Sequence, residues 1–182
     1  VRTTPVVYVW SGPHVCPSGV VMGRGWIQGV MNKVTIIGNG GAGKSTLALA
    51  LGRRTGLPVH HLDQVIWQPD WQAVSEEAFQ QAHDDLVARE SWIIEGVGYD
   101  STIADRFARS DAIVYLDFPI AVHFWWAIKR GVKSVFVTPA GWAEGCQPLA
   151  KLIPMLRIIW HIHRTTRPYL RSLLARQKRG VS

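Results

Sequence analysis

The sequence has only two cysteines among its 182 residues, Cys16 and Cys146, and they stand far apart. Two distant cysteines cannot form the disulfide framework that holds small secreted domains together, so that class of protein is excluded. The chain also lacks an apolar run long enough to cross a membrane, because Asp117, Pro119 and His123 interrupt the longest one. The composition therefore predicts a cytoplasmic protein with no membrane partner.

Acidic residues are scarce in the C-terminal part of the chain. From Ile120 onward one acid, Glu144, stands against eleven Lys or Arg, whereas the residues before it carry twelve acids against nine Lys or Arg. This part must therefore contact an anion or face solvent, and nucleotide phosphates, nucleic acid and anionic lipid all fit. Hydrophobic residues make up 47% of the chain, enough for one domain with a substantial core.

Glycine is abundant in one short stretch, KVTIIGNGGAGKST, which runs from Lys33 to Thr46. It contains the phosphate-binding pattern of Gly, four residues, Gly-Lys and then Ser or Thr. The β-branched run before it predicts a buried strand, and the Leu- and Ala-rich run after it predicts a helix. In that setting glycines let successive backbone N–H groups point at one anion, and the helix start adds its positive dipole end.

The pattern assigns roles to its residues. Lys44 would reach the β- and γ-phosphates of ATP, Ser45 would hold Mg²⁺, and Thr46 would bond the α-phosphate. The alternative is a Gly-rich turn in which Lys44 is merely solvated. The predicted ATP-binding residues are Gly38, Gly40, Gly41, Ala42, Gly43, Lys44, Ser45 and Thr46.

Strand and helix patterns alternate through the rest of the chain. The predicted strands are Val34–Ile37, Val59–Asp63, Trp92–Gly96 and Ala112–Asp117, all nearly apolar. Such strands, separated by helices, predict an α/β fold with a parallel sheet covered on both faces.

Two segments are expected to lie outside this sheet. Residues 1–30 lack periodicity and precede Met31, an ordinary start position, so they are predicted to be a poorly ordered leader before a domain spanning 31–182. Residues 131–147 contain Gly and Pro and are long enough to predict a lid.

The residues resemble the P-loop small-molecule kinases. The phosphate loop is followed in order by PVHHLDQVIWQPDW, SWIIEGVGYD, RSDAIVYLDFP, AEGC and HRTTRP. This series is similar to the adenylate-kinase-related group often labelled topology modulation proteins, over Met31 to about Leu174. The resemblance implies a P-loop NTPase fold with the four strands in the order 2-3-1-4 and a lid over the phosphates. Such kinases continue into a fifth strand after the point where this sequence ends, so we expect either that this edge of the sheet is missing or that the chain is truncated.

The resemblance also implies catalytic and metal-binding residues. Asp63, expected at the end of the second strand, would orient or deprotonate an acceptor hydroxyl, with a turn cap as the alternative. Glu95, at the end of the third strand, would hold Mg²⁺ through water, with a structural role as the alternative. Arg130 and Lys133 at the start of the lid would neutralise the transferring phosphoryl group, and Arg164 and Arg167 would do so from its far end. A solvated basic face is the alternative for all four.

Three functions remain open at this point. The first is a phosphotransferase that uses ATP and Mg²⁺ to phosphorylate a small molecule, with nucleotides among the acceptors. The second is a nucleotide-dependent nucleic-acid-binding protein that uses its basic C-terminal helices. The third is a nucleotide binder without turnover.

Overall fold

The computed structural model of the protein describes residues 6–10, 31–69, 72–134 and 152–179. Its strands are β1 Val6–Trp10, β2 Lys33–Gly38, β3 Val59–His61, β4 Trp92–Glu95 and β5 Ala112–Leu116. Its helices are α1 Lys44–Thr55, α2 Leu62–Ile66, α3 Glu76–Ala88, α4 Asp100–Arg109, α5 Ile120–Ser134, α6 Leu152–Arg164 and α7 Thr166–Arg179.

The strands form one parallel sheet in the order β1-β5-β2-β4-β3. The α/β fold class is as predicted, and the four predicted strands keep their relative order of 2-3-1-4. The complete order differs from the prediction because β1 extends the sheet beyond β5. The prediction that a fifth strand is missing is therefore wrong.

Strand β1 comes from the segment predicted to be a poorly ordered leader. Val6–Trp10 consists of β-branched and aromatic residues, which suit a pleated surface. These residues pair in register with Ala112–Leu116, so they satisfy backbone groups that would otherwise form an open sheet edge. The remainder of the leader lies outside the described residues, as do residues 135–147 of the predicted lid, whose first four residues belong to α5.

The core lies on both faces of the sheet. On one face, Ala48 of α1 and Phe118 pack with apolar residues of β2, β4 and β5. On the other, α4 and α7 pack on β2 and β5 through Ile103, Phe107 and Leu170. Every residue of β4 and β5 is buried, which is why these strands read as continuous apolar runs.

Local signals explain the helix ends that position the site. Helix α1 starts after Gly43 and ends at Gly56, both in the left-handed conformation that glycine adopts without strain. Helix α3 starts after Ser75, whose hydroxyl accepts a hydrogen bond from Ala78 N at 3.2 Å, as an N-cap serine does. Among the described helices, none has the length and hydropathy to span a bilayer.

Candidate active site

The phosphate loop, residues 38–45, joins β2 to α1 at the carboxyl end of the sheet. Gly38 lies so close to β5 that a Cβ there would sit 2.6 Å from the carbonyl oxygen of Leu116. Gly43 has φ +79° immediately before α1, where a larger residue would be strained. The loop therefore has the strand, the turn and the helix start that an anion cradle needs, as the sequence predicted.

Lys44 lies folded back over this loop. Its Nζ donates a hydrogen bond to the carbonyl oxygen of Asn39 at 3.0 Å. The ammonium therefore lies over the loop. Of the other predicted loop residues, Ala42 is buried and Thr46 is exposed on the first turn of α1.

Ser45 and Glu95 meet at the carboxyl ends of β2 and β4. The Ser45 hydroxyl donates to Glu95 Oε1 at 2.8 Å, across fifty positions of sequence. Glu95 is only 3% exposed, so its carboxylate is fixed in place. The two residues predicted to hold Mg²⁺ are thus brought together, and a hydroxyl with a carboxylate is a donor set that this hard cation prefers.

His61 completes this group and was not predicted as part of it. Its Nδ1 lies 2.7 Å from Glu95 Oε1, and the two residues are register partners in β3 and β4. A signal was available, because the predicted order places the last residues of these two strands side by side. From the sequence, nevertheless, no role was assigned to His61.

The charges in this group support one another. Burial alone would raise the pKa of Glu95, but the hydrogen bond from His61, the charge of Lys44 and the Ser45 hydroxyl together hold it below its ordinary value. The hydrogen bond to Glu95 raises the pKa of His61 against the opposing effect of burial. The carboxylate is therefore ionised at neutral pH and available to a cation.

The prediction that Asp63 ends a strand is wrong. Strand β3 stops at His61, and Asp63 is the second residue of the short helix α2, with an exposed side chain. Its charge still contributes to the raised pKa of His61. Asp63 lies in the first turn of this helix, where an acid interacts favourably with the positive end of the helix dipole. Asp63 therefore stands beside the buried group and faces solvent.

The four predicted lid cations have different surroundings. The backbone of Arg130 and Lys133 belongs to the last turns of α5, and their side chains lie outside the described part of the chain. The exposed Arg164 places its guanidinium carbon 5.5 Å from the centre of the Trp160 ring. Arg167 instead donates through Nε to Asp117 Oδ1 at 2.7 Å.

Asp117 is a buried anchor for α7. Arg171 joins Arg167 in binding it, with its Nη2 2.6 Å from Oδ2, and the Tyr115 hydroxyl donates to Oδ1 at 3.3 Å. Burial opposes ionisation, but these two arginines hold the pKa of Asp117 below its ordinary value. The two arginines and the aspartate lie in a cleft of about 430 Å³, lined by Asp117, Pro119, Ile120, His163, Arg167 and Arg171.

Comparisons with known proteins give fold neighbours only. No family model matches the chain, and no curated protein does. Among solved structures it is similar to a shikimate kinase from Acinetobacter baumannii in complex with shikimate, with 16% identity over 74% of this chain and 79% of that chain and a TM-score of 0.42. A shikimate kinase from Bacteroides thetaiotaomicron has 22% identity over 70% and 78% and a TM-score of 0.41.

Proposed function

We propose that the protein is a small-molecule kinase that transfers the γ-phosphoryl group of ATP, with Mg²⁺, to a hydroxyl of its acceptor. The observation that carries this proposal is the hydrogen bond between Ser45 and Glu95 beside Lys44 at the phosphate loop. Nucleotides and hydroxylated metabolites are the acceptor classes that we consider. The resemblance to the topology-modulation group supports a nucleotide.

The residues present fit a triphosphate and its metal. The backbone of residues 38–45 would hold the phosphates, and Lys44 would leave Asn39 to bond them. The Ser45 hydroxyl donates a hydrogen bond to Glu95, so the lone pairs of the Ser45 oxygen are free for Mg²⁺. Glu95 would hold the ion through a water molecule. When bound, the metal neutralises charge on the phosphate oxygens.

The chain's own groups account for the transfer as follows. The acceptor oxygen attacks the γ-phosphorus, the bond to the β–γ bridging oxygen breaks, and ADP leaves. The hydroxyl proton would pass to Asp63, the exposed carboxylate next to the buried group. Lys44 and the predicted lid cations Arg130, Lys133 and Arg164 would neutralise the developing charge. Arg167 would contribute only if it exchanged Asp117 for phosphate.

The test is release of ADP from Mg-ATP in the presence of a panel of mononucleotides and hydroxylated metabolites. One or more acceptors should raise the rate, and Lys44→Met should lower it by about a hundredfold or more, since it removes a charge stabilising the transition state. Arg176→Met is a matched control, because it removes an exposed cation of α7 remote from the loop sequence. If no acceptor raises the rate, the kinase proposal fails.

Binding measurements on the same purified protein distinguish the kinase from the two alternatives, a nucleotide binder without turnover and a nucleic-acid-binding protein. ATP binding that Lys44→Met abolishes, without acceptor-dependent turnover, would identify a nucleotide binder. DNA binding that falls steeply with salt would favour the nucleic-acid hypothesis. Against that hypothesis, Arg167 and Arg171 of the basic C-terminal helices are already paired with Asp117.

A further inference from the structure

We propose that Asn39 and His123 are positioning residues that join the phosphate loop to helices α5 and α6, so that nucleotide binding and the placement of these helices form one equilibrium. This inference rests on the proposed function, because it concerns how the same loop is held for its nucleotide. It adds two residues to which the phosphate-binding pattern assigns no role.

Asn39 makes four hydrogen bonds from one buried position, one of which its carbonyl oxygen accepts from Ala42 N at 3.4 Å. Its side-chain Oδ1 accepts a hydrogen bond from Gly40 N at 2.7 Å, and its Nδ2 donates to the carbonyl oxygen of Ile159 at 2.8 Å. Its own carbonyl oxygen accepts the hydrogen bond from Lys44 Nζ. The residue is only 7% exposed, so a lost partner is not readily replaced by water. Asn39 therefore links the loop, the phosphate-binding lysine and α6.

The contact with α6 is also a packing contact. Ile159 is 1% exposed, and a Cβ on Gly40 would lie 2.8 Å from its Cγ1. The loop backbone and this side chain are thus in direct contact, with no room for a methyl group between them. Because close-packed groups transmit displacement, a shift of the loop must move α6 or open a void.

His123 holds the loop from helix α5. It is 2% exposed, and its Nδ1 donates to the carbonyl oxygen of Gly40 at 2.9 Å. Burial lowers the pKa of His123, which favours the neutral ring, and the hydrogen bond to the Gly40 carbonyl oxygen requires a proton on Nδ1. The peptide groups on both sides of Gly40 are therefore held, the N–H by Asn39 and the C=O by α5.

Lys44 is the member of this network that must change partner. In the structure it bonds the Asn39 carbonyl, whereas in the proposed reaction it bonds phosphate. Nucleotide binding thus removes one hydrogen bond from the residue whose side chain is fixed to α6. Through Asn39, the helix responds to whether Lys44 is engaged by the loop or by a ligand.

Hydrogen exchange with and without Mg-ADP tests the coupling, because it needs no acceptor and no turnover. In the native protein, Mg-ADP should change exchange in the loop and also in α6. Asn39→Leu removes both side-chain bonds, and Asn39→Ser keeps a short acceptor for Gly40 but cannot reach Ile159. In both variants the loop should still respond to Mg-ADP, while the response of α6 should be clearly smaller than in the native protein, because only the packing contact between Gly40 and Ile159 then joins the loop to this helix.

The His123 variants provide the rescue control. His123→Leu should weaken Mg-ADP binding by about tenfold, as expected for one buried hydrogen bond. His123→Asn should restore most of it, because the amide nitrogen takes roughly the place of Nδ1. The KM for ATP should follow the same pattern with a much smaller change in kcat. His161→Ala, an exposed histidine of α6, is the matched control and should behave as the native protein.

The outcomes separate this inference from the proposed function. If Mg-ADP protects the loop but α6 is unaffected in the native protein, or if α6 responds equally in Asn39→Leu, the coupling is refuted while the kinase proposal stands. If α6 responds as expected but no acceptor is phosphorylated, the coupling stands and the kinase proposal fails. If no nucleotide binds at all, both are overturned.

Discussion

Glu95 is the side chain on which the proposed metal chemistry depends, because it joins Ser45 and His61 at one carboxylate oxygen. Glu95→Gln keeps the size of the side chain but removes the charge that holds a hydrated cation. We expect the Mg²⁺ concentration for half-maximal activity to rise by about tenfold or more. Titration of the rate with Mg²⁺ at saturating ATP measures this shift.

Glu77→Gln is the matched control for that measurement, since Glu77 is an exposed acid in the first turn of α3. It should leave the Mg²⁺ dependence unchanged. If the rate depends on the Mg²⁺ concentration equally in the native protein and in Glu95→Gln, Glu95 does not take part in metal binding and its role is structural.

The pKa of His61 should show whether its ring is hydrogen-bonded to the Glu95 carboxylate. Its pKa is raised chiefly by the hydrogen bond to Glu95. The stabilisation from this pair is therefore complete below the unfolded pKa of about 6.5 and is lost as pH rises through the higher folded value. NMR of the ring protons should show a folded pKa above that of the unfolded chain in the native protein.

In Glu95→Gln the His61 pKa should fall toward or below its ordinary value, because the charge of Asp63 is then the one carboxylate left to oppose burial. The unfolding temperature of the native protein should accordingly exceed that of the variant by more at pH 6 than at pH 9, at constant ionic strength. The pairing of His61 with Glu95 would be disproved by a ring pKa that the substitution leaves unchanged.

Helix α7 shows how one buried carboxylate fixes an element. Asp117, at the end of β5, receives two arginines from successive turns of α7. Asp117→Asn leaves an amide facing two guanidinium groups, which should cost about 2 kcal/mol in the free energy of unfolding. This value is reduced from that for a fully buried pair because both arginines are partly exposed. Urea unfolding measures the loss.

Asp105→Asn is the matched control, because it breaks an exposed i,i+4 pair with Arg109 and should cost well under about 1 kcal/mol. The Asp117 contribution also has a defined pH window. Its folded pKa is lowered, so the stabilisation is present above the unfolded pKa of about 4 and is lost as pH falls through the folded value. Equal losses in the two variants would mean that Asp117 does not anchor α7.

Elements with strong local signals were predictable from the sequence. The buried strands β2, β4 and β5 and the capped helix α3 follow from apolar runs and an N-cap serine. Helix α2 was missed because one turn of helix carries no periodicity, so Asp63 was placed at a strand end. At the site, the phosphate loop followed from its motif, and the pairing of Ser45 with Glu95 agrees with the metal-binding roles that the motif and the resemblance to P-loop kinases implied for them. The hydrogen bond between Asn39 and Ile159 could not be predicted, because it joins residues that lie 120 positions apart and that no sequence pattern relates.

At the scale of the whole molecule, β1 sets where the sheet ends. It pairs with β5 along five residues and contacts no strand near it in sequence. This explains why it went unrecognised: its run of apolar residues is short, and its partner begins more than a hundred positions away. Without β1, the backbone N–H and C=O groups on one side of β5 would be unpaired at the edge of the sheet. The residues of β5 are apolar and are buried in the complete fold, so this edge would favour association with other chains.

Removal of residues 1–30 should therefore destabilise the protein and promote self-association. Loss of a five-residue edge strand, with Val7 and Tyr8 packed on the core, should lower the unfolding temperature by several degrees and shift the protein toward larger species on gel filtration. Tyr8→Pro is the matched point variant, because proline removes a backbone donor in the middle of the strand. Val9→Thr, at a side chain 48% exposed, is the control and should change neither property. If the shortened chain keeps the native unfolding temperature and stays monodisperse, β5 is the true edge of the sheet and the strand formed by Val6–Trp10 contributes nothing to the fold.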